Sequence, residues 1–122
     1  MQICYNDNMD VRSKIWLEVE GETVFGSGRH ALLEGIDKLG SINKAAKSIN
    51  ISNRKALSYI QNMEHRLSFQ LVERHAGGKN GGGAHLTEDA KDLLLKYEKL
   101  ERGINELLDL RFLEVFGNSK KQ

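Results

Sequence analysis

The chain has 122 residues and a formal net charge of +1, with 39% apolar and 29% charged side chains. That length holds one compact domain, and no apolar run approaches the length of a membrane span. A single cysteine, Cys4, excludes an internal disulfide and a thiolate metal cluster, and with no signal segment at the start a cytoplasmic protein is expected.

Residues 1–12 are polar and irregular and read as a flexible tail, as do 117–122. In "SKIWLEVEGETVFG", Ile15, Leu17 and Val19 alternate with Lys14, Trp16, Glu18 and Glu20, the period of a half-buried strand. Gly21-Glu22 supplies a turn and Thr23-Val24-Phe25 returns, so a β-hairpin is predicted over 13–26. Three helices are predicted over 28–70. In the first, Leu32, Leu33, Ile36 and Leu39 recur at helical spacing, Ser27 is placed to cap the start, and Gly40 to stop it. Ser41 opens a second helix whose Ile42, Ala45, Ala46 and Ile49 share one face, with Asn43, Lys44 and Lys47 on the other. Asn50 breaks it with a residue that tolerates positive φ. Ile51 is an apolar plug, and Ser52 caps a third helix.

Short helix, tight turn and longer basic helix are the spacing of a helix-turn-helix over 41–67. Ala45 and Ala46 are small enough for its two helices to cross closely. The third helix has a core stripe of Ala56, Leu57, Ile60, Met63 and Leu67. Its other side carries Asn53, Arg54, Lys55, Ser58, Tyr59 and Asn62, residue types that reach phosphates and base edges. Arg54 and Lys55 sit in the first turn, where a recognition helix meets the bases. Cations there oppose the helix dipole by about 0.3–1 kcal/mol each, a cost that points to a purpose outside the helix.

"GGKNGGGAHLT", residues 77–87, invites a phosphate-loop reading. A Walker loop needs Ser or Thr after its lysine and then a helix, but Asn80 follows Lys79 and the chain runs on into the strand-like Ala84-His85-Leu86. With "QLVERHAG" before it, the segment reads as two strands joined by a long tip, a wing over 71–86. Arg74, Lys79, Asn80 and His85 are its candidate contacts to DNA backbone or minor groove. Residues 41–85 hold seven Lys/Arg against two Asp/Glu, whereas 1–40 hold four against seven and 86–116 five against eight. A basic middle between acidic flanks is the footprint of a nucleic-acid partner.

The last predicted helix, 87–116, opens on Thr87 with Glu88 and Asp89 in its first turn. Ala90, Leu93, Tyr97, Leu100, Ile104 and Leu107 step by 3 and 4 as a heptad seam, widened by Leu94 and Leu108. A homodimer through this seam is expected, with Gly103 marking a bend or a close crossing. The expected fold is mainly α with small β: a single winged helix-turn-helix domain over 13–116, with an N-terminal β-hairpin and a long C-terminal dimerisation helix. Double-stranded DNA is the expected partner, contacted by Ser41, Asn43, Lys44 and Ser52 as well as by the outer face of the third helix and by the wing.

From Gly40 to Leu94 the chain resembles the helix-turn-helix of LysR-type regulators, on "GSINKAAKSINIS", then Ile60…Met63-Glu64…Leu67, then "LVER…LTEDAKDLL". More closely, "LVERHAGGKNGGGAHLT" looks like the wing of the molybdate-responsive ModE regulators, where Gly-Gly-Lys-x-Gly-Gly-Gly-Ala stands before Leu-Thr. The opening "SKIWLEVEGETVFGSGRHALLEGIDKLGSI" looks like that family's first hairpin and helix, and the likeness covers residues 13 to about 108. It implies a dimeric winged helix-turn-helix that binds operator DNA and controls transcription, with Ser52, Arg54 and Lys55 opening the recognition helix and Lys79 in the wing. Asn53 stands where the family often has Tyr and Leu57 where it has Trp, which puts the operator sequence in doubt. Full-length members carry a C-terminal molybdate-binding module of paired small β-barrels. The chain resembles the DNA-binding half alone, so the expectation is no molybdate sensing at the family's usual site. Control of molybdenum genes would then pass through a separate effector-sensing partner, or other genes would be controlled. Tight stoichiometric molybdate binding in equilibrium dialysis contradicts that expectation.

Two rival readings stand beside this one. An enzyme would need a set among Cys4, His30, His65, His75 and His85, and these have no ligand or triad spacing, so no catalytic residue, metal or cofactor is expected. Only His75 and His85 are placed to face each other across the wing and hold a metal. A protein-interaction module built on the long helix explains the heptads but not the basic, glycine-tipped middle.

Overall fold

The computed structural model describes residues 5–78 and 81–117. Two compact units emerge, one spanning Ile15–Lys96 and the other made of the chain up to Lys14 together with Tyr97 onward. The predicted contacts Lys79 and Asn80, Cys4, and the outer ends of both predicted tails lie outside the described residues.

The first unit opens on a hairpin of β1 (Leu17–Val19) and β2 (Glu22–Phe25). Its two-residue loop, Glu20-Gly21, has positive φ at both positions, 52° and 82°, the turn whose twist matches paired strands. Ile15, Leu17 and Val19 are half-buried and their neighbours exposed, as the alternation predicts. The helix α1 (Ser27–Leu39) follows. Ser27 does not cap it. The cap is Gly26, whose extended backbone presents its carbonyl to the His30 N–H at 2.8 Å, and no side chain takes part. The helix therefore starts one residue earlier than the serine signal suggests. Leu32, Leu33 and Ile36 are wholly buried, while Leu39, in the last turn before the left-handed Gly40, is 46% exposed.

Next come α2 (Ile42–Ser48) and α3 (Asn53–Leu67). Ser41 Oγ accepts from the Lys44 N–H at 3.1 Å, and Ser52 Oγ from the Lys55 N–H at 3.0 Å, each cap contributing about 1 kcal/mol. Between them Asn50 sits at φ 60°, and the Ile51 N–H returns to the Ala46 carbonyl at 3.0 Å. That bond closes the turn of the helix-turn-helix. The alanine pair has a second use. A Cβ built on Gly35 of α1 would stand 3.0 Å from the Ala45 Cβ, so Ala45 lies at a close approach of α2 to α1, a contact additional to the α2–α3 crossing for which the pair was read.

The core of this unit gathers Val24, Phe25, the α1 trio, Ala56, Ile60, Met63, Leu71 and Leu94. Burial of one such large side chain stabilises by about 1.5–3 kcal/mol, more than a cap does, so the apolar stripe sets how α3 is turned. Leu57 and Leu67, predicted in that stripe, are only half-buried at its margin. The helix ends at Ser68, left-handed at φ 67°.

The wing follows. β3 (Val72–Gly78) pairs antiparallel with β4 (Gly81–Leu86), with Val72 opposite Leu86, Glu73 opposite His85 and His75 opposite Gly83. Glu64 Oε2 accepts from the Leu71 and Val72 N–H groups at 2.8 and 3.2 Å, anchoring β3 to α3. The Ala84 N–H donates to the Gly40 carbonyl at 2.9 Å, tying β4 to the turn between α1 and α2. Thr87 Oγ1 donates to the Gln70 carbonyl and accepts from the Ala90 N–H, opening α4 (Glu88–Phe116).

In the second unit, α4 continues through Gly103 to Phe116, and that glycine makes no break. Among the described residues no atom lies within 4 Å of where its Cβ would stand. The Tyr5 ring meets Phe116 edge-on at 5.2 Å, and Ser13 Oγ donates to Asn105 Oδ1 at 2.8 Å. No helix among the described residues is long and apolar enough to cross a membrane.

Candidate nucleic-acid interface

Burying Ala56, Ile60 and Met63 turns the opposite face of α3 outward, so Asn53, Arg54, Lys55, Ser58 and Asn62 are all exposed. No acidic residue stands in the first turn of α3. Its amides and the cations Arg54 and Lys55 therefore present one sign of charge, which favours an anion at that end. Ser52 belongs to the same turn but spends its hydroxyl oxygen on the cap. Asn43 and Lys44 are exposed at the start of α2, and the half-buried Ser41 caps it.

A cleft of about 430 Å³ joins this face to the wing. Ser41 and Asn43 line it from the start of α2, Asn53 and Leu57 from α3, and Arg74, His75 and Gly83 from the wing. No acid is among its lining residues. The two acids of the basic middle are engaged elsewhere, Glu64 on the amides of β3 and Glu73 on His85. Among the described residues no ion pair involves Lys44, Lys47, Arg54, Lys55 or Arg74. The geometry thus assembles a continuous cationic and amide-bearing surface from three separate elements.

Tyr59 behaves differently from its neighbours on α3. It is half-buried, with the Arg29 guanidinium of α1 over its ring at 4.5 Å and Lys55 Nζ at 5.8 Å. Arg29 is a cation at this surface that sequence reasoning missed. Nothing in the local pattern of α1 marks it, because its partner ring lies thirty positions on. In the sequence Glu64 shows only its helical spacing, which does not foretell its anchoring of β3. In the wing, His75 and His85 do face each other, Nε2 to Nδ1 at 3.1 Å.

The seam residues of α4 divide. Tyr97 is buried within the chain at 3% exposure, and Leu93 and Leu108 are half-buried, whereas Leu100, Ile104 and Leu107 are open to solvent. Tyr97 therefore offers no surface to a partner. Burial, and next the nearby Glu101 carboxylate, raise its phenol above the ordinary tyrosine range.

The family model of the bacterial regulatory helix-turn-helix proteins of the LysR family matches residues 30–91, from within α1 to the start of α4. The chain belongs to that family. Within it, the helix-turn-helix and wing just described are the matched part. Among curated relatives, this LysR-family chain is 45% identical over 74 residues to the transcriptional regulator ModE of Haemophilus influenzae, covering 61% of the present chain and 29% of that protein. The molybdenum transport protein ModE of Azotobacter vinelandii is 35% identical over 108 residues, 86% of this chain and 40% of the relative. The DNA-binding transcriptional dual regulator ModE of Escherichia coli K12 is 42% identical over 72 residues, 59% of this chain and 28% of that one. The likeness to ModE regulators read from the wing sequence is borne out. The chain spans less than half the length of each of these relatives.

Proposed function

We propose that this LysR-family chain is a sequence-specific, double-stranded DNA-binding transcriptional regulator that acts as a homodimer. The observation that carries the reading is the acid-free first turn of α3, with Arg54 and Lys55 exposed and Arg74 across the cleft. α3 enters the major groove with Asn53, Arg54, Lys55, Ser58 and Asn62 toward the base edges, and the wing follows the adjoining backbone. Ser41, Asn43 and Lys44 hold phosphate at the start of α2. Tyr59, held under Arg29, supports that face. Lys79 and Asn80 belong to the wing tip of this proposal on sequence grounds. Control of molybdenum-related genes rests on the relatives, one of which is named a molybdenum transport protein.

The test is fluorescence anisotropy of a mixed-sequence duplex across a salt series. Affinity should fall steeply with salt, with a slope of about −0.9 per phosphate contact. Replacing Arg54→Glu together with Lys55→Glu should abolish binding and leave the oligomeric state unchanged. Retention of DNA binding by that variant refutes the recognition-helix assignment.

One observation favours a second reading. Leu100, Ile104 and Leu107 leave an apolar stripe in solvent on α4, and such a stripe marks an interaction surface. The occupant that fits is a second copy, because a heptad seam is complementary to itself about a two-fold axis. A protein-interaction module with no operator of its own is the outcome if DNA binding fails and self-association persists.

A further inference from the structure

The wing carries a cluster that DNA contact does not explain. Glu73 and His75 alternate on one face of β3, and His85 stands opposite Glu73 on β4, which makes the two imidazoles diagonal neighbours. Such neighbours are close enough for rings to meet across a strand pair. Their ring centroids are 4.8 Å apart, with His75 Nε2 3.1 Å from His85 Nδ1. His85 Nε2 lies 2.8 Å from Glu73 Oε1. All three side chains are exposed.

From this geometry we infer that His75 and His85 form a bidentate site for a divalent transition ion of the zinc class. Zinc–imidazole bonds are about 2.0–2.1 Å long, so nitrogens 3.1 Å apart subtend about 98° at the ion, between octahedral and tetrahedral values. No backbone movement is needed to close the chelate. Glu73 supplies what a ligating histidine needs behind it. A carboxylate accepts, so His85 donates Nε2–H to Glu73, and in the neutral ring Nδ1 is then the bare nitrogen facing His75. A carboxylate–histidine–metal chain orients the ring and raises its basicity. On binding, His75 moves its ring proton from Nε2 to Nδ1 through solvent, and the ion takes the place of the hydrogen that the two rings share. Imidazole nitrogens select zinc, copper or nickel over magnesium or calcium, which prefer oxygen. Two protein ligands leave the remaining positions to water. The chelate would clip β3 to β4 just where the register becomes irregular, between His75 and Gly78.

The site shares His75 with the cleft of the DNA-binding reading but does not rest on that reading, and it is tested without DNA. The untagged full chain is titrated with zinc chloride by isothermal calorimetry, and its imidazole nitrogens are followed by NMR. Saturation at one ion per chain is expected, with His85 engaged through Nδ1 and His75 through Nε2. His75→Gln and His85→Gln should each abolish that stoichiometric binding, Glu73→Gln should weaken it about 10–100-fold, and Cys4→Ser should retain it. Absence of saturation at one per chain overturns the inference. So does binding that survives His75→Gln, or zinc-dependent shifts confined to other residues. The NMR measurement uses the unaltered chain and stays decisive if a substitution disturbs the hairpin.

Discussion

At the scale of single residues, polar side chains fasten the wing to the helices. Glu64 accepts from two successive amides at the start of β3. Glu64→Ala would leave both without that partner, at a cost of about 2 kcal/mol. A lowered denaturant midpoint is expected, with most of the loss recovered in Glu64→Gln, whose amide oxygen accepts in the same place. Tyr97 gives a pH signature. Its phenol is raised in the folded chain by burial and then by Glu101, so the unfolded chain ionises first. The stability linked to this group is intact below the ordinary tyrosine value of 10.0 and declines as pH rises beyond it. Alkaline melts should show that decline in the parent protein and a shallower one in Tyr97→Phe. A shallower slope is the diagnostic readout, because the phenylalanine has no proton to lose. The Ser41 and Ser52 caps were legible from type and position alone. The partners of Glu64 and Arg29 were not, since each bond joins elements whose mutual distance only the fold decides.

Among elements, the order of helices and strands was readable because period, caps and turn residues are local. Asn50 and Gly40 take the left-handed conformations that their types suggest. What the sequence did not mark concerns pairs of elements. The small residues of α2 were read as serving its crossing with α3, and Ala45 also stands against Gly35 of α1. One stripe along a helix cannot tell which neighbour it will meet. The remedy is a substitution at the crossing. Gly35→Val should force α1 from α2 and destabilise by about 1–3 kcal/mol, read as a drop in melting temperature, while Gly28→Val, with open space around it, should cause no steric loss. Within the heptad seam Tyr97 is already covered inside the chain, whereas Leu100, Ile104 and Leu107 are not.

For the whole molecule, that uncovered stripe sets the expected assembly. If the proposed dimer forms through that stripe, Leu100→Glu with Leu107→Glu should give a monomer in sedimentation velocity and weaken binding to a two-fold DNA site, leaving single half-site contacts in place. In the proposed dimer, half-sites about 34–36 Å apart, or a multiple of that, would match a two-fold pair of α3 helices. The charge distribution that first pointed to DNA was legible because it is a property of the chain, whereas the cleft uniting Ser41, Asn53 and Arg74 exists only after folding. The bond from the Ala84 N–H to the Gly40 carbonyl bears on how chains of this fold can be recombined. A wing transplanted from another protein brings its own fingertip, but it must dock on a carbonyl that the recipient contributes from a different part of its chain. Wing and helix-turn-helix are therefore poor candidates for separate modules, and chimaeras that exchange β3 and β4 should work best when the α1–α2 corner travels with them.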